Sequence, residues 1–267
     1  MGIQVERNKM KRWTFLIYGV ASYVLFFGTY AYLMGFMGNV LVPKNLDGET
    51  ATPWPVALVV NLLLLTLFGL QHSVMARPAF KQVWTRWVPK PIERSTYVLL
   101  SCVALGLLVW LWQPLNFVLW DVQQPVARTL LWTLFVFGWL MVPTVSLMIN
   151  HFDLFGLRQV WLHWQGQAYQ HLPFRTPYLY AHVRHPLYVG WAIAFWATPT
   201  MTVGHLLFAG YCTAYMALAA LIEERDLIAH FGHVYQDYAR RVPRYFPRLK
   251  SAAPAAQPEL VLSESRN

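Results

Sequence analysis

The sequence predicts an all-α integral membrane protein with about five to six transmembrane helices, the last of them forming a C-terminal helical hairpin. Three observations carry the prediction. Apolar residues make up 57% of the chain and charged residues 12%, about half the charged share of an ordinary soluble domain. Uncharged runs recur that reach the roughly 20 residues a bilayer crossing needs. Basic residues gather in alternate connections, the pattern of a chain threaded with its positive loops inside.

Taken in order, residues 1–12 form a basic lead containing Arg7, Lys9, Lys11 and Arg12. The spans are then expected near 13–37, 54–76, 95–120 and 129–150, followed by a hairpin over 187–222. The first run is too long for a cleavable signal peptide and no small-residue cleavage site follows it. Arg77, Lys81, Arg86, Lys90 and Arg94 lie between the second and third runs, and Arg158, Arg175 and Arg184 follow the fourth. Arg225, Arg240, Arg241, Arg244, Arg248 and Lys250 follow the last, whereas the opposite loops offer only Lys44 and Arg128. Both termini, the loop at 77–94 and the segment 151–186 are therefore expected on the cytoplasmic side of a bacterial inner membrane. The run at 187–222 must then cross twice or re-enter, turning back between Thr198-Pro199-Thr200 and Gly204. Residues 13–250 read as a single membrane domain, and 251–267, rich in Ala, Pro, Gln, Ser and Glu, as a disordered tail.

The net charge of +9 needs no nucleic acid to explain it, because basic residues at the cytoplasmic face are retained by topology and by the anionic lipid bilayer. Cys102 and Cys212 sit inside apolar runs and read as small buried hydrophobes. Two such cysteines do not point to a metal site, and none is expected.

Polar groups within spans are where function is sought. Asn61 and His205 are each explained by an interhelical hydrogen bond. His72, Asn150 and His151 are expected at the same depth as Arg184-His185, where one shared pocket, or separate interfacial solvation of each, would account for them.

Leu187 to Ile222 contains no Asp, Glu, Lys or Arg and ends in Glu223-Glu224-Arg225-Asp226. If the hairpin doubles back, the cluster Arg184-His185-Pro186-Leu187-Tyr188-Val189-Gly190 meets this acidic cluster at one membrane face. Arg184 and His185 could pair with a carboxylate, and Glu223 or Glu224 with an ammonium group or ribose hydroxyls. Tyr188 offers an aromatic face to a cation or an adenine, and Gly190 permits close approach of a backbone or ligand. Those demands together fit S-adenosylmethionine. Each element also has a plain alternative: Arg184 as a topological charge, Pro186 as a first-turn residue, Glu223-Glu224 as a solvated helix end. Spacing alone leaves both readings open.

The set Arg-His-Pro-x-Tyr-x-Gly, Pro199 in an apolar hairpin, Glu223-Glu224 with Leu227, Phe231-Gly232, Tyr235, Tyr238 and Val242-Pro243-Arg244 resembles the isoprenylcysteine carboxyl methyltransferase, phospholipid methyltransferase and NnrU-like membrane superfamily. The stretches Gln71-His72-Ser73-Val74-Met75-Ala76-Arg77-Pro78 and Asn150 to Val160 extend the likeness over most of the chain. With them it is most like the bacterial methanethiol S-methyltransferases, which make dimethyl sulfide. The resemblance implies S-adenosylmethionine bound within the membrane without a Rossmann domain, and the chain has no Gly-x-Gly-x-x-Gly. It implies a cofactor set of His182, Arg184, His185, Pro186, Tyr188, Gly190, Glu223 and Glu224. It also implies a small thiol as substrate.

Methyl transfer from a sulfonium to a thiolate quenches two charges, which a dry pocket favours. The thiolate is the reactive form, so a base or a stabilising cation is expected to assist. His151, His72 and His182 are the candidate bases, with Asp153 orienting His151, Arg158 or Arg184 stabilising the thiolate, and Tyr188 near the reacting sulfur. Other acceptors considered are an isoprenylcysteine carboxylate and a phospholipid amine. A b-type haem ligated by His72 and His151 is the reading from another class.

Overall fold

The computed structural model describes residues 2–49 and 51–247; the tail at 251–267 lies outside the described residues. Its helices are α1 (Gly2–Gly38), α2 (Trp54–Ala76), α3 (Pro78–Trp84), α4 (Lys90–Leu111), α5 (Pro125–Ile149), α6 (His151–Leu154), α7 (Leu157–Gln165), α8 (Pro186–Trp196), α9 (Val203–Phe231) and α10 (His233–Arg241). A single turn of 3-10 helix covers Tyr178–Ala181, and two short strands, β1 (Val118–Asp121) and β2 (Thr200–Thr202), pair antiparallel. The protein is an all-α integral membrane protein, with five helices long and apolar enough to cross a bilayer: Met10–Gly38 within α1, and α2, α4, α5 and α9.

Helix limits follow local chemistry. Pro53 and Pro55 flank Trp54 at the start of α2, and Pro125 begins α5 behind Gln124, whose side chain accepts from Ala127 N. Pro is suited to a first turn, where its missing N–H has no partner to lose. The third apolar run is helical from Lys90 and stops at Leu111, because its continuation is tied off by a buried side chain. Asn61 of α2 donates to Gln113 O (2.7 Å) and accepts from Gln113 N (2.9 Å), so the chain beyond α4 runs extended into β1. Asn61 is fully buried. Asn61→Leu is expected to destabilise by roughly 1–3 kcal/mol through the orphaned backbone pair, read as a lowered thermal midpoint of the solubilised protein.

The C-terminal hairpin is asymmetric. α8 is only 11 residues, about 16 Å at 1.5 Å per residue, and the rest of that arm is extended chain ending in β2. Irregular backbone at such depth requires internal partners, and three residues supply them. His205, fully buried, places Nε2 2.8 Å from Phe195 O, taking up a carbonyl at the end of α8. Thr198 Oγ1 donates to Thr200 O (2.8 Å), and Thr202 Oγ1 caps α9 by accepting from His205 N (3.0 Å). β1 covers β2 from the α4–α5 connection.

Two polar faces result. On one, the α1–α2 loop, the α4–α5 connection and the hairpin tip are stitched together by Thr202–Asp47, Lys44–Trp110 O and Asn116–Gly48 O. On the other, Tyr18 meets Thr96, and Arg77 meets Asp226. Between them lies a core of Phe36, Leu65, Leu108, Trp112, Trp139 and Phe208, while Ile17, Leu63 and Leu130 point outward, the side that lipid covers.

α5 and α8 form the most extensive helix pair. Gly138 makes it possible: a Cβ there would stand 2.5 Å from Ala194 N and 3.0 Å from Gly190 O. Close backbone approach of this kind is how helices pack in lipid, where no hydrophobic force draws them together.

Candidate active site

Three segments distant in sequence converge on one carboxylate. Glu224, in the last third of α9, is buried. Arg244 holds it with two hydrogen bonds, Nε to Oε1 (3.0 Å) and Nη2 to Oε2 (2.7 Å). His185 Nε2 lies 2.9 Å from Oε1, and Arg184 Nε is 3.4 Å from the same oxygen. The backbone completes the tie, with Arg184 N donating to Pro243 O (2.9 Å) and His185 N to Arg244 O (3.1 Å). Arg184 and Glu224 were expected to hold opposite ends of a ligand; here they neutralise one another.

An ionised carboxylate can only accept, so His185 Nε2 carries the proton and Nδ1 presents a lone pair. Burial holds this ring below the usual histidine pKa, partly offset by the Glu224 bond and the charges of Glu223 and Glu224, so it is neutral near pH 7. Nδ1 faces Glu223 Oε2 at 3.9 Å. Glu223 keeps 42% of its side chain exposed, and Tyr188 donates to its Oε1 at 2.6 Å. The Tyr188 and His185 rings stack, 5.2 Å apart and 12° from parallel. Two acceptors facing each other across 3.9 Å call for a donor between them. Among the described residues Tyr245 Oη has no hydrogen-bond partner, and Arg184 Nε has none beyond its 3.4 Å approach to Glu224, both buried beside the same cluster. The acceptors and orphaned donors here fit a zwitterionic, hydroxyl-bearing ligand.

Pro186 begins α8 at N1, and Gly190 faces α5, where a Cβ would touch Met141 and Val142 at 3.3–3.4 Å. His182 is exposed at the end of the 3-10 turn, where its backbone N–H donates to Leu179 O.

The histidines of the neighbouring segments have their own surroundings. His72 lies on α2 with the Tyr97 hydroxyl 2.9–3.0 Å from its ring nitrogens, Ser101 Oγ 3.2 Å from Nδ1, and Phe68 stacked on it. His151, buried in α6, sits between Ser146 Oγ (2.7 Å from Nδ1) and Tyr23 Oη (2.6 Å from Nε2). Because Ser146 donates to Pro143 O, it accepts from Nδ1–H, and Tyr23 donates to Nε2. Burial holds His151 below the usual histidine range. Asp153 does not orient it: that carboxylate takes Arg158 (3.0 Å) and Tyr169 (3.1 Å). These bonds leave neither histidine a free ring nitrogen for a haem iron.

The clusters adjoin. Ser73, next to His72, lies 2.9 Å from Tyr215 of α9, and Arg77 bonds Asp226 just beyond Glu223, while the Arg94 guanidinium covers the Tyr97 ring and donates to Leu154 O in the His151 segment. A cleft of about 530 Å³ opens beside His151 between α1 and α7, walled by Leu16, Val20, Leu157 and Trp161 and floored by Asn150, Phe152 and Arg158. Sequence reasoning missed Tyr23, Tyr97, Ser101 and Ser146, whose hydroxyls sit in runs that read as apolar. It also missed Arg244 as the main partner of Glu224, although Val242-Pro243-Arg244 marked the place.

No protein-family model and no solved structure matches the chain. It is 53% identical to the methanethiol S-methyltransferase of Mycobacterium tuberculosis over 238 residues, covering 89% of this chain and 98% of that one. The methanethiol S-methyltransferase of Crocosphaera subtropica is 48% identical over 243 residues, 91% and 95% of the two chains. Nurim of the rat is 32% identical over 232 residues, 78% of this chain and 87% of its own. At such identity over nearly the whole length, the chain belongs to the methanethiol S-methyltransferase family.

Proposed function

We propose that the protein transfers a methyl group from S-adenosylmethionine to methanethiol, giving dimethyl sulfide. The proposal includes a bacterial inner-membrane location with both termini cytoplasmic and residues 13–250 as one methyltransferase domain. The observation that carries it is the half-exposed Glu223 carboxylate, fixed by Tyr188 and opposed by the His185 Nδ1 lone pair. In this reading that pair of acceptors takes the α-ammonium or ribose hydroxyls of the methyl donor. Tyr188 lines the path of the sulfonium, and the donors of Arg184 and Tyr245 complete the polar end. Glu224 serves by holding His185 and the 243–244 segment in position. When bound, S-adenosylmethionine supplies an electrophilic methyl carbon.

The acceptor must lose its proton before attack, since the thiolate is the nucleophile. The Nε2 lone pair of His151 is already occupied by Tyr23, so a thiol proton reaches that base by way of the tyrosine hydroxyl. The cleft lined by Asn150 and Phe152, the chain neighbours of His151, gives a small apolar thiol dissolved in lipid a place to enter next to this segment. Exclusion of water around the reacting sulfurs favours a step in which opposite charges are quenched.

Membranes containing the protein, given S-adenosylmethionine and methanethiol, are expected to release dimethyl sulfide into the headspace, measured by gas chromatography. No product above protein-free membranes would overturn the substrate. Glu223→Gln is expected to weaken S-adenosylmethionine binding by about 10- to 100-fold, as for loss of a charge-assisted hydrogen bond worth roughly 1.5–3 kcal/mol, without lowering the unfolding midpoint. Unchanged affinity by calorimetry would remove Glu223 from the donor site.

A further inference from the structure

Four of the arginines around this face are neutralised by carboxylates: Arg77 by Asp226, Arg158 by Asp153, and Arg184 and Arg244 by Glu224. Arg94 is not. Among the described residues no carboxylate lies within 4 Å of it; its neighbour Glu93 pairs with Lys81 (3.9 Å). Its Nε donates to Leu154 O (2.6 Å), and its guanidinium carbon lies 4.6 Å from the centre of the Tyr97 ring. Those two contacts use one N–H and one face, leaving the four N–H groups of the two terminal nitrogens for something else. The residue is half-buried, so water compensates its charge only in part.

Its location gives the vacancy a meaning. Arg94 stands at the start of the second turn of α4, over the Tyr97 ring that bonds His72, and donates to Leu154 O of the segment after α5. The ionisable groups facing it are His72 on α2, Lys81 on α3, Glu93 and Tyr97 on α4, Asp153 on α6 and Tyr169 beyond α7. Glu223, the carboxylate assigned above to the methyl donor, acts on the same Tyr97. Tyr97, beneath this cation, bonds His72, whose neighbour Ser73 lies 2.9 Å from the Tyr215 hydroxyl on α9, the helix that carries Glu223.

We propose that Arg94 is a catalytic residue that binds the thiolate of the methyl acceptor, which rests on the thiol methylation proposed above. The thiol S–H bond breaks and its proton leaves toward the histidine–tyrosine pairs. The sulfur then keeps its electron pair beside the guanidinium. That pair forms the new carbon–sulfur bond to the methyl carbon as the sulfonium carbon–sulfur bond breaks toward the donor sulfur, which leaves as a neutral thioether. An ordinary thiol, with a pKa of about 8.5 or above, is mostly protonated at pH 7. A fixed positive charge favours its ionised form. Arg158 and Arg184, the arginines expected from sequence to do this, are already committed to carboxylates.

The test compares full-length wild type, Arg94→Gln and Arg94→Lys in detergent. The readouts are the unfolding midpoint, S-adenosylmethionine binding by calorimetry, and kcat at saturating methanethiol from pH 6 to 10. Arg94→Gln is expected to bind S-adenosylmethionine within about twofold of wild type. Its kcat at pH 7 should fall by at least tenfold, and the rising limb of the kcat profile, which reports the bound thiol, should move about one pH unit upward, recovering rate at high pH. Arg94→Lys should fall between. A profile lowered in parallel without a shift would overturn the proposal, as would loss of S-adenosylmethionine binding at an unchanged midpoint, which would make Arg94 a cofactor residue. If Arg94→Gln does not fold, Arg94→Lys decides, and an unshifted profile there overturns it. A wild type that binds S-adenosylmethionine but makes no dimethyl sulfide fails the thiol reading itself, whereas an active wild type with an unshifted Arg94→Gln fails this assignment alone.

Discussion

Glu224→Gln is expected to lower the thermal midpoint of the detergent-solubilised protein by roughly 10 °C and to abolish S-adenosylmethionine binding. The carboxylate accepts from Arg244 twice and from His185 once, with Arg184 Nε a further 3.4 Å away. A neutral amide removes the negative charge that Arg184, His185 and Arg244 share. It also turns an NH2 group toward a guanidinium that can only donate. Removing one partner of a buried ion pair costs about 3–5 kcal/mol, and each kcal/mol moves the midpoint of a chain this size by roughly 2–4 °C. The binding loss follows because His185 would lose the bond that fixes its tautomer, and with it the lone pair facing Glu223. Arg240, exposed and 3.7 Å from Asp237, supplies the contrast. Arg240→Gln should leave midpoint and affinity nearly unchanged, as exposed pairs contribute little. Intrinsic fluorescence melting and calorimetry read both variants. A Glu224→Gln protein as stable as wild type would mean that the tie does not hold the hairpin mouth.

Gly138→Leu is expected to be the most damaging substitution away from the charged cluster. The atoms a side chain would meet are the backbone N and Cα of Ala194, at 2.5 and 2.9 Å, and the carbonyl of Gly190. Backbone cannot swing aside as a side chain can, so α5 and α8 must separate along their largest contact. Overpacking typically costs about 1–3 kcal/mol, occasionally more; here the obstruction is backbone, and Gly138→Leu should prevent recovery of folded protein. Gly138→Ala should fold with a lowered midpoint and weaker S-adenosylmethionine binding, because α8 carries Tyr188 and follows directly from His185. Gly190→Ala meets only the side chains of Met141 and Val142, at 3.3–3.4 Å, and should be far milder. Equal effects at the two glycines would contradict the backbone contact. Size-exclusion chromatography gives the folded fraction of each.

The fold was legible where chemistry punctuates the apolar runs. Pro53, Pro55 and Arg77 bracket α2, and the expected 54–76 coincides with the helix. Gln124-Pro125 likewise begins α5, four residues before the uncharged run does. Legibility failed where the end of a helix is set by a distant partner. Nothing in Trp112-Gln113-Pro114 reveals that Asn61, 52 residues away, takes the Gln113 backbone. Nothing in Ala197–Thr202 reveals that His205 and the β1 strand will satisfy an extended segment inside a hairpin. Topology brought Arg184-His185 to the face of Glu223-Glu224, but it could not assign partners. That assignment rests on Arg244, which in sequence was one of several basic residues after the last span. Hydroxyls posed the converse problem. Tyr23 and Tyr97 count toward an apolar run while their oxygens bond histidines. Arg94 looked like one more topological charge, and only the pairing of its neighbours distinguishes it.

The asymmetry of the tie has a consequence for biogenesis. Residues 184–185 and 224 are synthesised before Arg244, which holds Glu224 with two hydrogen bonds. Every crossing helix has been synthesised before Arg244 leaves the ribosome. A nascent chain therefore reaches the end of α9 with Glu224 facing Arg184 and His185 but still without its two bonds from Arg244. Synthesis of the crossing helices and completion of the site are separate events in time, and a chain cut just before Arg244 would carry the five long helices with the tie left open.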